Sequence, residues 1–192
     1  MEYQIVIGIV AVVIAVLGYF PYLKEVIYGK VKPHAFSWLI WSITQSVAFF
    51  ASIVKGGGAG AYAVGVPVLL VITVLGFSIF RGEREITLLD KTSLIAALAG
   101  IAAWVLTTDP LWSVIIVTAV DSVGFIPTFR KSYKRPGEES ITVYAFTGVS
   151  LAISLFALQS INAVTVLYPT ALVILNVMLV SMILYRRRRA SG

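Results

Sequence analysis

Long runs of apolar residues alternate with short polar segments along this chain. Seven runs approach or reach the length that crosses a bilayer, at residues 3–23, 34–54, 61–80, 92–108, 111–131, 141–160 and 162–185. A helix rises about 1.5 Å per residue, so roughly 20 residues span a hydrocarbon core of about 30 Å. The segments between the runs are rich in Gly, Pro and Ser, which are typical of turns. The pattern therefore predicts an all-α polytopic membrane protein with seven transmembrane helices.

The composition agrees with this pattern. Of the 192 residues, 59% are hydrophobic and 12% are charged, whereas soluble domains carry about 25% charged residues. No loop is long enough to form a soluble domain, so we expect a single membrane domain over residues 1–192. The absence of cysteine excludes disulfides and thiol chemistry. The first run continues without a small-residue cleavage site, and we interpret it as a span rather than a signal peptide.

The basic residues predict the orientation of the spans. Fourteen of the fifteen Lys and Arg residues follow spans 1, 3, 5 and 7, and only Lys55 lies on the other side. The positive-inside rule then places the N-terminus outside and the C-terminus in the cytoplasm. We expect the plasma membrane of a bacterium or archaeon. The run Arg186–Arg189 is interpreted as an anchor near anionic lipid, so no nucleic-acid partner is expected.

One motif occurs twice, as LGYFPYLKEVIYGK at residues 17–30 and as VGFIPTFRKSYKRP at residues 123–136. The two copies, called the duplicated motif below, align Gly18 with Gly124 and Pro21 with Pro127 at an offset of 106 residues. Further features recur in the same order after each copy, and these include Trp38 with Tyr144 and Pro67 with Pro169. The recurrence predicts two parallel three-helix repeats, residues 1–80 and 109–188, joined by a loop and linker helix over residues 81–108.

This architecture resembles the SWEET and PQ-loop superfamily, in which two three-helix units flank a linker helix and a proline lies near the inner end of the first helix of each unit. The chain has Pro21-Tyr22 and Pro127-Thr128 where the family signature is Pro-Gln. The segment SWLIW at residues 37–41 is also similar to the Trp-x-x-Trp motif of bacterial nicotinamide riboside transporters, which share this plan. The resemblance implies a transporter of a small solute with its pocket between the two units. It also implies a pocket-lining Asn on the third helix of each unit, where this chain has Asn176 and, nearby in the first unit, Thr73.

Four prolines occupy paired positions in the two predicted repeats. A proline removes one helical hydrogen bond and kinks the helix. Matched kinks suit two bundles that rock around a central site. The alternative is that each proline only shapes helix packing. We interpret the set as hinges, formed by Pro21, Pro67, Pro127 and Pro169.

Asp121 is the only acidic residue placed deep in a predicted span. A carboxylate at the bilayer centre costs at least about 2.5–3.5 kcal/mol. Intramembrane ionisable groups are therefore usually functional, as a proton carrier, a cation ligand or an acceptor for substrate. The alternative is a helix tie, in which a protonated Asp121 bonds a hydroxyl or Asn176 on a neighbouring helix. The sequence favours the functional interpretation.

Other polar and aromatic residues are predicted at a similar depth. Trp38, Trp41 and Gln45 share one face of span 2, because their spacing is i, i+3 and i+7. Tyr144 and Thr147 offer a matching face on span 6. Aromatic walls with an amide suit a sugar ring or a flat heterocycle. The predicted substrate-binding set is Trp38, Trp41, Gln45, Thr73, Asp121, Tyr144, Thr147 and Asn176.

These patterns predict a transporter or facilitator of a small polar solute, sugar-like or vitamin-like, bound at the bilayer midplane between the repeats. Proton coupling through Asp121 is an option that the sequence leaves open, as is a homo-oligomer. The alternative function is a non-transporting membrane receptor or scaffold with the same fold. We expect no enzyme activity, no cofactor and no metal, because the sequence contains no metal-ligand cluster and no nucleophile–base pair.

Overall fold

The computed structural model of the chain describes residues 2–83, 86–89, 91, 92, 94, 95, 98, 99, 106 and 110–190. The α-helices whose bounds lie within the described residues are α1 (Glu2–Ile27), α2 (Ala35–Val54), α3 (Gly58–Gly65), α4 (Val68–Arg81), α5 (Pro110–Lys134), α6 (Thr142–Phe156) and α7 (Ala163–Ala190). A single turn of 3-10 helix, Pro136–Glu138, precedes α6. Within these described ranges the protein is helical and contains no strand. The prediction of an all-α protein is confirmed.

Five helical stretches in the described ranges are long and apolar enough to cross a membrane. One of them combines α3 and α4, because Val66 and Pro67 between them keep right-handed helical dihedrals. The helix α6 is also apolar but has only 15 residues, or about 22 Å. Of the predicted fourth span, residues 92–108, only 92, 94, 95, 98, 99 and 106 are described, and the first five of these are helical. These are the helices of an integral membrane protein, and the count of seven spans stays a prediction.

Small residues line the buried face of α1, whereas many large apolar residues of the bundle face outward. The buried face of α1 contains Gly8, Ala11, Ala15 and Gly18, whereas Phe20 is 62% exposed on the same helix. On α4, Leu69 and Phe80 are also largely exposed, as are apolar residues on most of the other helices. Lipid tails are as apolar as leucine, so such faces carry no penalty in a bilayer, while small residues let helices approach closely.

The helices pack in two groups across a central seam. Helix α1 packs against α6, and α2 packs against α5, so that each contact joins the first group (α1–α4) to the second group (α5–α7). Within the first group, α3 and α4 pack against both α1 and α2. Within the second group, α7 packs against both α5 and α6. The third helical stretch of each group therefore lies beside both of the helices that face the other group.

Two glycines of the duplicated motif lie at the contacts between the groups. A Cβ atom at Gly18 would lie 2.4 Å from Cβ of Phe146 on α6. A Cβ atom at Gly124 would lie 2.9 Å from Cγ2 of Ile40 on α2. Both distances are shorter than ordinary carbon contacts of about 3.5–4.0 Å. Each glycine is therefore needed for the close approach of its helix to the other group.

The two ends of the bundle differ in charge. At one end, which we call the basic end, Arg81 donates to the Ile27 carbonyl and Lys131 donates to the Lys32 carbonyl. Arg187 also donates to the Glu139 carbonyl there. At the other end, Gln4 donates to the Leu158 carbonyl at 2.9 Å. The C-terminal ends of α1 and α5 both lie at the basic end, so these two helices run in the same direction.

Candidate functional site

Two small cavities lie on the central seam, about midway along the helices. The first has a volume of about 10 Å³ and is bordered by Pro67 and Tyr168. The second has a volume of about 20 Å³ and is bordered by Trp38, Trp41 and Asn176. Four residues line both cavities, which shows that the cavities adjoin: Tyr19, Gln45, Thr147 and Leu172. Each has room for about one water molecule, so the site is closed in this conformation.

Aromatic side chains from both helix groups form one wall of the second cavity. The ring of Trp41 is 5.2 Å from that of Trp38 and 4.8 Å from that of Phe125 on α5. Tyr144 on α6 completes the contact, with its ring 6.2 Å from that of Trp41. These separations are typical of favourable edge-to-face and tilted aromatic pairs. The wall is therefore continuous across the seam, and it would have to part if the groups separated.

Asp121 lies on α5, is fully buried and contacts a helix of each group. Its Oδ1 atom accepts a hydrogen bond from the Tyr168 hydroxyl on α7 at 3.0 Å. The same oxygen accepts a hydrogen bond from the hydroxyl of Thr44 on α2. Its Oδ2 atom has no hydrogen-bond partner among the described residues. Asp121 thus joins the two groups at the depth of the cavities and keeps one acceptor unused.

The contact with Thr44 accommodates both protonation states of Asp121. The Thr44 hydroxyl has a single proton, and the Ile40 carbonyl oxygen is a second acceptor, 3.0 Å from Thr44 Oγ1. When Asp121 is ionised, Thr44 can donate that proton to the carboxylate. When Asp121 is protonated, it can donate to Thr44 Oγ1, and Thr44 then donates to the Ile40 carbonyl. A proton can therefore be gained or lost here without leaving the hydroxyl unpaired.

The structure brings most of the predicted substrate-binding residues together. The second cavity is lined by six of the eight, namely Trp38, Trp41, Gln45, Tyr144, Thr147 and Asn176. Asp121 lies beside the cavities rather than in their walls, separated from the first cavity by its partner Tyr168. The amide of Asn176 donates to its own helix, at the Leu172 carbonyl, and not to Asp121.

Thr73 lies apart from this cluster. It is on the exposed outer face of α4, and its hydroxyl donates to the Leu69 carbonyl of the same helix at 2.8 Å. The sequence placed Thr73 at the right depth, but depth does not fix the direction in which a side chain points. The neighbouring Val71 and Val74 take the inward positions instead, and both are fully buried.

The four predicted hinge prolines occupy different local settings. Pro21, Pro127 and Pro169 each lie inside an uninterrupted helix. Pro67 instead lies at the junction of α3 and α4, and it borders the first cavity. Tyr168, which precedes Pro169, borders the same cavity. The second pair of prolines therefore lies next to the site, while their role as hinges stays a prediction.

Three residues of the site were not selected from the sequence as functional, namely Tyr19, Thr44 and Tyr168. Tyr19 lies within the duplicated motif, directly after Gly18, and Tyr168 directly precedes the paired Pro169, which is a signal that could have identified them. Thr44 lies one turn beyond Trp41 on the predicted inward face of span 2.

No protein-family model, curated protein or solved structure matches this chain.

Proposed function

We propose that this integral membrane protein is a transporter or facilitator of a small polar solute, sugar-like or vitamin-like, which binds at mid-depth between the two helix groups. The observation that carries this proposal is the cluster on the central seam, where an aromatic wall, two amides and a buried carboxylate meet. Buried polar groups within a membrane are costly and usually serve binding or transport. The resemblance to the SWEET and PQ-loop superfamily supports the same proposal.

The proposal includes two parallel three-helix repeats, residues 1–80 and 109–188. Helix α1 contacts α6 just as α5 contacts α2, which is the exchange that a pseudo-twofold axis along the membrane normal would produce. The glycine contacts follow the same offset of 106 residues, because Gly18 meets Phe146 and Gly124 meets Ile40. The common direction of α1 and α5 also supports parallel rather than inverted repeats. In transporters of this plan, substrate sites lie at the interface of the repeats.

The small volume of the cavities bears on the mechanism. Space for about one water molecule in each cavity excludes a continuously open pore in this conformation. A solute the size of a monosaccharide would enter only after the helix groups separate on one side. Such motion is the alternating access expected of paired bundles. The alternative function is a receptor or scaffold with the same fold, which would keep its interior closed. The small volume of the two cavities is the observation that favours this alternative.

Asp121 is proposed as the residue that couples protons to transport. Its carboxyl group is buried, joins both helix groups and can exchange a proton with its hydrogen bonds rearranged rather than lost. Separation of the groups on one side would expose it to water there. Ionisation would then depend on which side is open, which is the requirement for coupling.

The test uses purified protein in proteoliposomes, with radiolabelled glucose and nicotinamide riboside as probes. The wild type is expected to take up at least one probe above empty liposomes. Asp121→Asn keeps the shape of the side chain but removes its proton, so it should retain probe binding and lose the response of uptake to a pH gradient. Asp121→Ala should abolish uptake.

The matched control is Ser122→Ala on the same helix, because among the described residues the Ser122 hydroxyl bonds only its own helix, at the Thr118 carbonyl 2.8 Å away. Ser122→Ala is expected to transport like the wild type. If the wild type takes up neither probe, and the Asp121 variants lose only thermal stability, Asp121 is a helix tie and the receptor or scaffold function is favoured.

A further inference from the structure

A fully buried ion pair lies at the basic end of the seam. The Nζ atom of Lys131 is 2.8 Å from Oε2 of Glu139, and the side chains are 1% and 0% exposed. Lys131 also donates to the carbonyls of Lys32 at 2.6 Å and Glu138 at 2.8 Å. The other carboxylate oxygen of Glu139 accepts the backbone N–H of Ser140 at 3.1 Å. All three ammonium protons of Lys131 therefore have an acceptor.

Only one of these bonds crosses between the two helix groups, the one that Lys131 donates to the Lys32 carbonyl. Lys131 and Glu139 belong to the second group, whereas the Lys32 carbonyl belongs to the loop between α1 and α2 of the first. A second buried contact crosses at the same place, where the Thr128 hydroxyl on α5 donates to the Ser37 hydroxyl on α2 at 2.9 Å. We call this set the basic-end latch, defined by Lys32, Ser37, Thr128, Lys131 and Glu139.

The latch lies directly beyond the aromatic wall of the second cavity. Tyr144 lines that cavity, and its hydroxyl lies near the Glu139 carboxylate. The Tyr22 ring packs 5.3 Å from Trp38 and 6.5 Å from Tyr144. Neither tyrosine hydroxyl makes a hydrogen bond of normal geometry within the described residues. A solute moving from the cavity to the basic end would have to pass these rings and then the latch.

The opposite end is closed in a different way. There, Gln4 donates a neutral hydrogen bond across the seam to the Leu158 carbonyl at 2.9 Å, and beside the first cavity Ser150 donates to the Ala11 carbonyl at 2.6 Å. A buried ion pair is rarely more stable than an apolar pair of similar volume, and its best-attested use is to specify one arrangement over another. The latch is therefore suited to a switch between closed and open states rather than to stability alone.

We propose that the basic-end latch is the gate that closes the central site toward the basic end, and that it must open for solute to pass there. This inference rests on the proposed transport function. Tyr144 connects the gate to the site, because its side chain lines the cavity and its hydroxyl lies near Glu139. Solute that displaces Tyr144 would disturb the surroundings of Glu139 and favour opening.

The test measures access to the cavity instead of uptake. The chain has no cysteine, so Thr147→Cys provides a single reporter that lines both cavities. Its labelling rate with a polar maleimide in detergent is compared with and without Lys131→Met plus Glu139→Gln, a pair that removes the charges together and leaves neither one buried alone. Loss of the charge-assisted bond from Lys131 to the Lys32 carbonyl across the seam should raise the labelling rate at least about tenfold.

Two further variants keep the outcome decisive. Gln4→Met removes a hydrogen bond across the seam at the opposite end and should change the rate less than about twofold. Thr128→Val with Ser37→Ala removes only the hydroxyl pair of the latch and should raise the rate about threefold. This variant decides the question if the charge-free variant does not fold.

If the Thr147→Cys parent and both latch variants are labelled at the same rate, the gate proposal is wrong. It is also wrong if Gln4→Met raises the labelling rate as much as the latch variants do, because that result would indicate a general loosening of the bundle. Because labelling does not require transport, the gate can fail while uptake persists. Equally, uptake can be absent while the gate behaves as proposed. The failure of one proposal is thus distinguishable from the failure of the other.

Discussion

Replacing Gly18 by alanine tests whether close contact between α1 and α6 holds the two helix groups together. The added Cβ atom would lie 2.4 Å from Phe146 Cβ and 3.0 Å from its Cγ. Both Cβ positions are fixed by the backbones, so no rotamer change can relieve the overlap. Carbon atoms prefer separations of about 3.5–4.0 Å, and the helices would have to move apart by about 1 Å.

The expected cost follows from two opposing effects. Overpacking of this kind costs about 1–3 kcal/mol, whereas alanine gains up to about 1 kcal/mol over glycine in helix propensity. Because the positions of both Cβ atoms are fixed, we expect the cost of overpacking to lie in the upper part of the range of about 1–3 kcal/mol. We therefore expect a net loss of about 1–2 kcal/mol in the free energy of unfolding.

Gly76→Ala is the matched control, because a Cβ atom at Gly76 on α4 would meet no atom of the described chain within 4 Å. It should be neutral or stabilising by up to about 1 kcal/mol. Gly124→Ala should lie between the two, since its nearest contact, at 2.9 Å, is a side-chain methyl group of Ile40 that can move.

Thermal unfolding in detergent, followed by the fluorescence of the buried tryptophans, ranks the three variants. The expected order of stability is Gly76→Ala, then Gly124→Ala, then Gly18→Ala. If Gly18→Ala unfolds at the same temperature as Gly76→Ala, the α1–α6 contact is not close, and the reasoning about paired glycines is wrong.

The remaining predictions concern function, topology and the repeat. Asp121→Asn should lose the pH-gradient response of uptake while keeping probe binding, and normal transport by both Asp121→Asn and Asp121→Ala would contradict its role. Thr73→Val should change uptake and stability little, within about 0.5 kcal/mol for the latter, and a large loss of uptake would place Thr73 in the site after all. A cysteine introduced by Ser191→Cys should resist impermeant maleimide in intact cells, and ready labelling would reverse the predicted orientation. An experimental structure should superpose residues 1–80 on 109–188 with Pro21 over Pro127, and superposition only after inversion would refute parallel repeats.

The sequence alone determined the membrane character, the helical class and much of the candidate site. Hydropathy fixed where the described helices lie, with small shifts at their ends and a junction at Pro67. Helical spacing placed Trp38, Trp41 and Gln45 on one face, and the structure directs that face to the second cavity. The i, i+3, i+7 relation depends only on helix geometry, so it survives whatever the helix packs against.

Only the tertiary structure decided which neighbours these residues meet. It directed Thr73 outward, gave Asp121 its partners Thr44 and Tyr168, and buried Lys131 against Glu139. Hydropathy cannot make these choices, because lipid is as apolar as the interior and an apolar face does not reveal whether it points inward. The rotation of each helix about its axis is set by close contacts such as that of Gly18 with Phe146, which join residues distant in the chain.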